Sequence, residues 1–215
     1  MMLVKNVVRS LLFSVFMRNF LRWVIGIRIG DNSSLKTCPQ FIVTGNHNSH
    51  LDTMAILSSL PARRLKHVYP VAAADYFGRT KLMSLLSRFF INVILIKRSK
   101  DGSGPNPIEV MDKALKEGKS IVIFPEGSRG QPEDMQPFKK GIGILLVNHP
   151  QIPFIPIYME GLGKALPRGE GLLVPFEGRV EIGEPTHIQS DWTVDQVVQF
   201  VESKVLELKN RSKEV

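Results

Sequence analysis

A chain of 215 residues with 43% hydrophobic and 22% charged content has an ordinary globular composition, enough for one well-packed core and short for two. Its single cysteine, Cys38, excludes an intramolecular disulfide and any multi-cysteine zinc site. The net charge of +8 is concentrated: residues 1–30 hold Lys5, Arg9, Arg18, Arg22 and Arg28 and no acid.

Apolar and aromatic residues fill the space between these cations, among them Phe13, Phe16, Phe20 and Trp23. A basic, aromatic-bearing helical pattern of this kind reads as a membrane-surface element. Spanning a bilayer takes about 20 mostly apolar residues, whereas the longest uncharged run is residues 10–17. Arg18 and Arg22 stand where a secretory signal would place its small-residue cleavage site. Lys5, Asn6, Arg9 and Ser10 mark one helix face, while Ser14, Arg18 and Arg22 mark another. That rotation predicts two short helices, or one helix partly packed on the domain. Residues 1–30 are therefore expected to be a membrane-docking segment ahead of a main domain over 31–215. Nucleic acid, the other usual partner of a basic chain, is not expected, since no helix-turn-helix spacing, Cys/His pairing or RNA-binding aromatic signature is present.

Beyond this segment, short β-branched runs alternate with helical stretches, the pattern of an α/β domain with a mixed, mostly parallel sheet flanked by helices. Strands are expected over 41–45, 67–72, 91–97, 120–124, 154–159 and 179–182, and helices over 51–60, 76–88, 108–117, 140–148 and 193–209. Pro107 and Gly118 are the expected start and stop of the third helix. Thr193 and Gln196 make a capping box for the last one. Residues 101–107, rich in Gly and Pro, read as a loop.

The run Asn46-His47-Asn48-Ser49-His50-Leu51-Asp52 lies where the first of these strands gives way to a helix. An imidazole titrates near neutral pH and takes a proton from a hydroxyl, while a carboxylate on its other nitrogen fixes the tautomer. His47 on the loop and Asp52 in the helix's first turn can face each other that way. Ser49 and Asp52 also read as a helix cap, and the sequence leaves both readings of Asp52 open. A second strand ends in Phe124-Pro125-Glu126-Gly127-Ser128-Arg129, a turn where glycine admits close approach and arginine offers a planar fork for phosphate. A third ends in Lys97-Arg98; beside Arg129, Lys139 and Lys140 these cations suit an anionic head group.

Together these runs resemble the conserved blocks of the glycerolipid acyltransferases, the family of 1-acylglycerol-3-phosphate and lysophospholipid acyltransferases. His47 to Asp52 matches the His-x-x-x-x-Asp block, and residues 124–129 match the Phe-Pro-Glu-Gly-Thr-Arg block, with Ser128 for the threonine. The run ending at Arg98 is similar to the second block and Ile155-Pro156-Ile157 to the fourth. The second block departs from its pattern: Asn92 stands where a glycine is usual and Leu95 where a phenylalanine is usual.

The resemblance implies an acyltransferase domain over 31–215 that moves a fatty acyl group from an acyl thioester, on coenzyme A or acyl carrier protein, to the hydroxyl of a lysophospholipid. The acceptor it implies first is 1-acylglycerol-3-phosphate, giving phosphatidic acid, with another lysolipid or amphiphilic hydroxyl as the alternative. His47 is the implied base and Asp52 its partner. Lys97, Arg98, Glu126, Gly127, Ser128 and Arg129 are the implied substrate-binding residues, and the backbone at Gly127 and Ser128 is a candidate oxyanion site. No cofactor beyond the acyl donor and no metal is expected. The implied place is the cytoplasmic face of a membrane with anionic lipids, peripheral or monotopic. Two rival readings carry less. A metal-dependent hydrolase would use His47, His50 and Asp52, but the spacing departs from the His-x-His-x-Asp-His loop. A lipid-binding module would bind without turnover.

Overall fold

The computed structural model describes residues 2–74, 87–96, 106–166 and 173–212. Helix α1 (Met2–Ser10) opens the chain and runs without a break in helical backbone into π-helical turns over Leu11–Met17 and Phe20–Ile25. Then come β1 (Ile27–Ile29), α2 (Ser33–Thr37), β2 (Ile42–Gly45), α3 (Leu51–Ser59), α4 (Ala62–Leu65) and β3 (Val68–Ala73). A π-helical turn at Ser87–Ile91 leads into β4 (Ile94–Ile96). The remaining elements are α5 (Pro107–Lys116), β5 (Ser120–Ile123), α6 (Gly141–Asn148), β6 (Phe154–Glu160), α7 (Leu162–Ala165), β7 (Gly178–Ile182) and α8 (Val194–Ser212).

The strands form one sheet in the order β1-β7-β6-β2-β5-β3-β4. Every neighbouring pair is parallel except β6 and β7, so the sheet is mixed and mostly parallel, as expected. Side chains alternate between faces along each strand. Val43, Val122, Ile155 and Ile157 enter a core shared with α3 and the N-terminal segment. Ile42, Ile121, Phe154 and Tyr158 enter the opposite core, under α5, α6 and α8.

The N-terminal segment is one continuous helical run packed on the domain, not two short helices. Its inward stripe is Arg9, Phe13, Met17, Leu21 and Ile25, four residues apart throughout; all but the half-buried Met17 are buried. An α-helix turns about 100° per residue, so a four-residue stripe drifts about 40° at each step. The wider π turns absorb that drift, which explains the rotating polar face. Three of the five cations point inward: Arg18 Nε and Nη2 donate to the Ser58 and Leu60 carbonyls at 2.8 and 3.4 Å, and Lys5 and Arg9 hold the segment before β4. Gly26, left-handed at φ 96°, ends the run. It is followed by β1, an Ile-Arg-Ile alternation between two glycines whose shortness hid it from periodicity.

The strand expected over 91–97 begins only at Ile94, because Asn92 adopts φ 63°, a left-handed conformation that asparagine and glycine tolerate and most residues avoid; residue 97 lies outside the described residues. That backbone explains why Asn92 substitutes for the usual glycine. The helix expected over 76–88 lies outside the described residues up to 86.

Candidate active site

Strands β2 and β5 are parallel neighbours, with Thr44 opposite Ile123, so the loops that follow them emerge side by side at one sheet edge. That edge is where open α/β sheets bind ligands. Asn46 pins the first loop: its amide donates to the Met159 carbonyl at 2.7 Å and accepts the Met159 N–H at 2.8 Å. His47 follows, and its Nδ1 lies 2.9 Å from Asp52 Oδ2. The same Asp52 oxygen accepts the Asn48 and Ser49 N–H groups at 2.7 and 2.8 Å. Asp52 is thus both the loop's cap and the histidine's partner, and the two readings of the sequence are one arrangement. With Nδ1–H donated to the carboxylate, Nε2 carries the lone pair. The ring also lies flat on Phe124, centroids 4.0 Å apart at 9°.

The second loop is tied to the first. Glu126, 2% exposed, accepts the His47 backbone N–H at 2.7 Å through Oε1 and the Gln136 N–H at 3.1 Å through Oε2. Burial pushes its carboxyl up to about 7, with Asp52 and Asp134 adding to the rise against the two backbone bonds. Glu126 is not among the residues lining the cavity in front of His47, and each of its oxygens accepts a backbone N–H. Gly130 N–H closes the link by donating to the His47 carbonyl at 2.9 Å. Gly127 has φ 77°, and a Cβ there would stand 2.6 Å from Lys139 Nζ. Its N–H donates to the Phe124 carbonyl at 3.0 Å, within the turn.

In front of His47 opens a cavity of about 720 Å³. It is lined by His47, His50, Ser128, Arg129 and Lys139 together with apolar side chains including Val71, Ile91, Ile96, Ile108, Met111 and Ile142. Among the described residues, no carboxylate lines it. Lys139 is the cation of its pair that reaches the cavity, whereas Lys140 is turned to Asp195 on α8 at 2.9 Å. His50, weighed from the sequence only as a metal ligand, also lines the cavity; burial, then Arg129 and His47, lower its pKa against the pull of Asp52, favouring the neutral imidazole. Among the described residues, no three His, Cys, Asp or Glu side chains are grouped to hold a metal ion. Lys97 and Arg98 follow β4 in sequence and lie outside the described residues.

The family model described as Acyltransferase matches residues 26–160, a span that contains both loops. The chain belongs to the glycerolipid acyltransferase family. Human 1-acyl-sn-glycerol-3-phosphate acyltransferase alpha is 30% identical over 145 residues, covering 65% of this chain and 48% of that protein. The chloroplastic 1-acyl-sn-glycerol-3-phosphate acyltransferase BAT2 of Brassica napus is 28% identical over 147 residues, 68% of this chain and 40% of its own length. The match thus spans about half the length of these acyltransferases or less. The crystal structure of the 1-acyl-sn-glycerophosphate (LPA) acyltransferase PlsC from Thermotoga maritima shares the fold, with a TM-score of 0.78 at 18% identity, over 97% of this chain and 81% of that one.

Proposed function

We propose that this acyltransferase moves a fatty acyl group from an acyl thioester, on coenzyme A or acyl carrier protein, to the free hydroxyl of 1-acylglycerol-3-phosphate, giving phosphatidic acid. The observation that carries the reading is the 2.9 Å contact between His47 and Asp52 beside a cavity whose lining combines Arg129 and Lys139 with many apolar side chains. The acceptor hydroxyl gives its proton to His47 Nε2 as its oxygen bonds to the thioester carbonyl carbon, and the Asp52 carboxylate stabilises the imidazolium. As the carbon–sulfur bond breaks, the imidazolium returns the proton to the departing thiolate. Arg129 and Lys139 bind the acceptor phosphate, a role that Lys97 and Arg98 share by their place in the sequence, and Ser128 supplies the candidate oxyanion N–H.

Membrane docking completes the proposal. The outer face of the N-terminal helical run exposes Val4, Val7, Leu11, Val15, Phe16 and Trp23, the last two at 63% and 73%. Phe176, joined to this end through its N–H bond to the Ile25 carbonyl at 3.0 Å, extends the face. Among the described residues no helix is long and apolar enough to cross a membrane, and the face suits a cytoplasmic leaflet bearing anionic lipids. Incubation with radiolabelled acyl-CoA and a panel of lysolipids tests the reaction. Labelled phosphatidic acid formed in preference to other products, with and without chelator, is the expected result; thioester hydrolysis alone, or no turnover with any acceptor, overturns it.

A further inference from the structure

The segment leading into β4 builds one wall of the cavity, and it is held from behind by two cations of α1. Residue 91, the last of the π-helical turn Ser87–Ile91, lines the cavity, as does Ile96 at the end of β4. Between them Asn92 stands at φ 63°, a left-handed conformation that few residues besides glycine and asparagine adopt. The last carbonyls of a helix have no partner within it. Here Arg9 supplies them: its Nε donates to the Phe90 carbonyl at 2.9 Å and its Nη2 to the Ile91 carbonyl at 3.4 Å. One turn earlier on the same helix, Lys5 Nζ donates to Asn92 Oδ1 at 2.9 Å. Arg9 is 1% exposed, and its third nitrogen, Nη1, is buried with no hydrogen-bond partner among the described residues. An arginine kept in such a place at a desolvation cost does something that an apolar residue of the same size would not.

We propose that Lys5 and Arg9 form a latch that fixes the turn at residues 90–92, and that by holding Ile91 against the cavity they set the length of acyl chain it accepts. They are positioning residues: neither is among the residues lining the cavity. The inference rests on the acyltransferase reading only in naming the apolar occupant as an acyl chain; the latch itself is a statement about the turn.

The test uses the full chain with Arg9→Met, Arg9→Lys, Lys5→Met and Asn92→Gly, assayed across a series of acyl-CoA chain lengths with 1-acylglycerol-3-phosphate as acceptor. Asn92→Gly keeps the left-handed turn, which glycine adopts freely, and removes only the amide that Lys5 grips. A rigid apolar wall discriminates by about tenfold or more per methylene, so a loosened one should flatten kcat/KM to within about twofold between neighbouring lengths. Turnover of the best substrate should stay within about threefold, since the proton-transfer pair is untouched. Arg9→Lys, which retains the charge and a single donor nitrogen, should recover part of the discrimination. Replacing a buried charge by an apolar residue of similar volume is often neutral for stability, which lets Arg9→Met fold; should it fail to, Lys5→Met and Asn92→Gly carry the test. Folded variants with the wild-type length profile overturn the proposal. Hydrogen exchange of the amides at residues 90–94 gives a readout independent of turnover. Faster exchange in every latch variant supports the latch even if the wild type transfers no acyl group, an outcome that would defeat the reaction assignment instead; unchanged exchange overturns the latch.

Discussion

His47 and Asp52 meet at 2.9 Å through the one oxygen that Asp52 also uses to close the loop between them, where it accepts the N–H groups of Asn48 and Ser49. The carboxylate is 1% exposed, so its charge is unscreened by water and acts on the imidazolium at close range. Geometry and charge are separable here. An asparagine can present its oxygen to the same three donors while its amide nitrogen takes the place of Oδ1. Asp52→Asn should therefore keep the loop, at about 1–3 kcal/mol for an unsatisfied buried amide, and lose the negative charge opposite the imidazolium. Acyl transfer should fall ~10²- to 10⁴-fold in both Asp52→Asn and His47→Ala. Steady-state rates beside thermal unfolding check this, and near wild-type turnover in His47→Ala would remove His47 from the mechanism.

Glu126 gives a pH signature. In the unfolded chain its carboxyl titrates at the ordinary value of 4.5, and burial in the fold pushes it to about 7. Between those values the folded state binds the extra proton, so stability falls as pH rises from about 4.5 to 7 and levels off above, by about 3 kcal/mol for this group. Glu126→Gln abolishes the titration. The melting temperature of the wild type minus that of the variant should accordingly shrink from pH 5 to pH 8, since all other groups cancel in the difference. Because Glu126 braces the His47 backbone and does not line the cavity, kcat should fall about tenfold with the acceptor KM nearly constant. A raised acceptor KM alone would return Glu126 to the substrate site.

The cations around the cavity sort by geometry. Arg129→Ala and Lys139→Ala should each weaken a phosphate-bearing acceptor by about 1.5–3 kcal/mol, read as a ~10- to 100-fold loss in kcat/KM. Lys140→Ala, which breaks only the exposed pair with Asp195, should change neither rate nor stability measurably. The comparison is made with glycerophosphate-bearing and uncharged acceptors side by side; equal losses on both would show that these residues do not read the phosphate.

The central sheet was legible because β-branched runs and capped helices leave local marks. Asn106 accepts the Ile108 N–H at 3.0 Å to start α5 just before Pro107. Thr193 and Gln196 form their capping box, with the Thr193 N–H given to Gln196 Oε1 at 2.8 Å. What was not legible depends on contacts distant in sequence. Glu126 finds its His47 partner 79 positions away, and nothing in the run Pro-Glu-Gly distinguishes a carboxylate turned to backbone from one turned to substrate. Lys139 and Lys140 are adjacent and chemically alike, and only the start of α6 decides which faces the cavity. The π turns escaped notice because amphipathicity is read on a 3.6-residue period, which a four-residue stripe blurs.

The N-terminal segment has two functions that mutation can separate. Its inner stripe is part of the fold: Phe13, Leu21, Ile25 and Ile27 are each at most 1% exposed, and burying each is worth ~1.5–3 kcal/mol. The sum is comparable to the whole stability of a domain, about 5–15 kcal/mol. Deleting residues 1–28 should therefore unfold or aggregate the remainder, and no truncation can measure membrane affinity cleanly. The outer stripe can be changed alone, because Phe16 and Trp23 lie mostly in solvent. Phe16→Glu with Trp23→Glu should leave the melting temperature within a few degrees, as exposed substitutions usually do, while placing two carboxylates where apolar rings would meet an anionic leaflet. Co-sedimentation with phosphatidylglycerol-containing vesicles should drop about tenfold or more, since each lost aromatic contact adds to electrostatic repulsion. Activity on vesicle-embedded acceptor should fall with it, and activity on a short-chain soluble acceptor should not. Unaltered sedimentation of the double variant would place membrane contact on another face of the molecule.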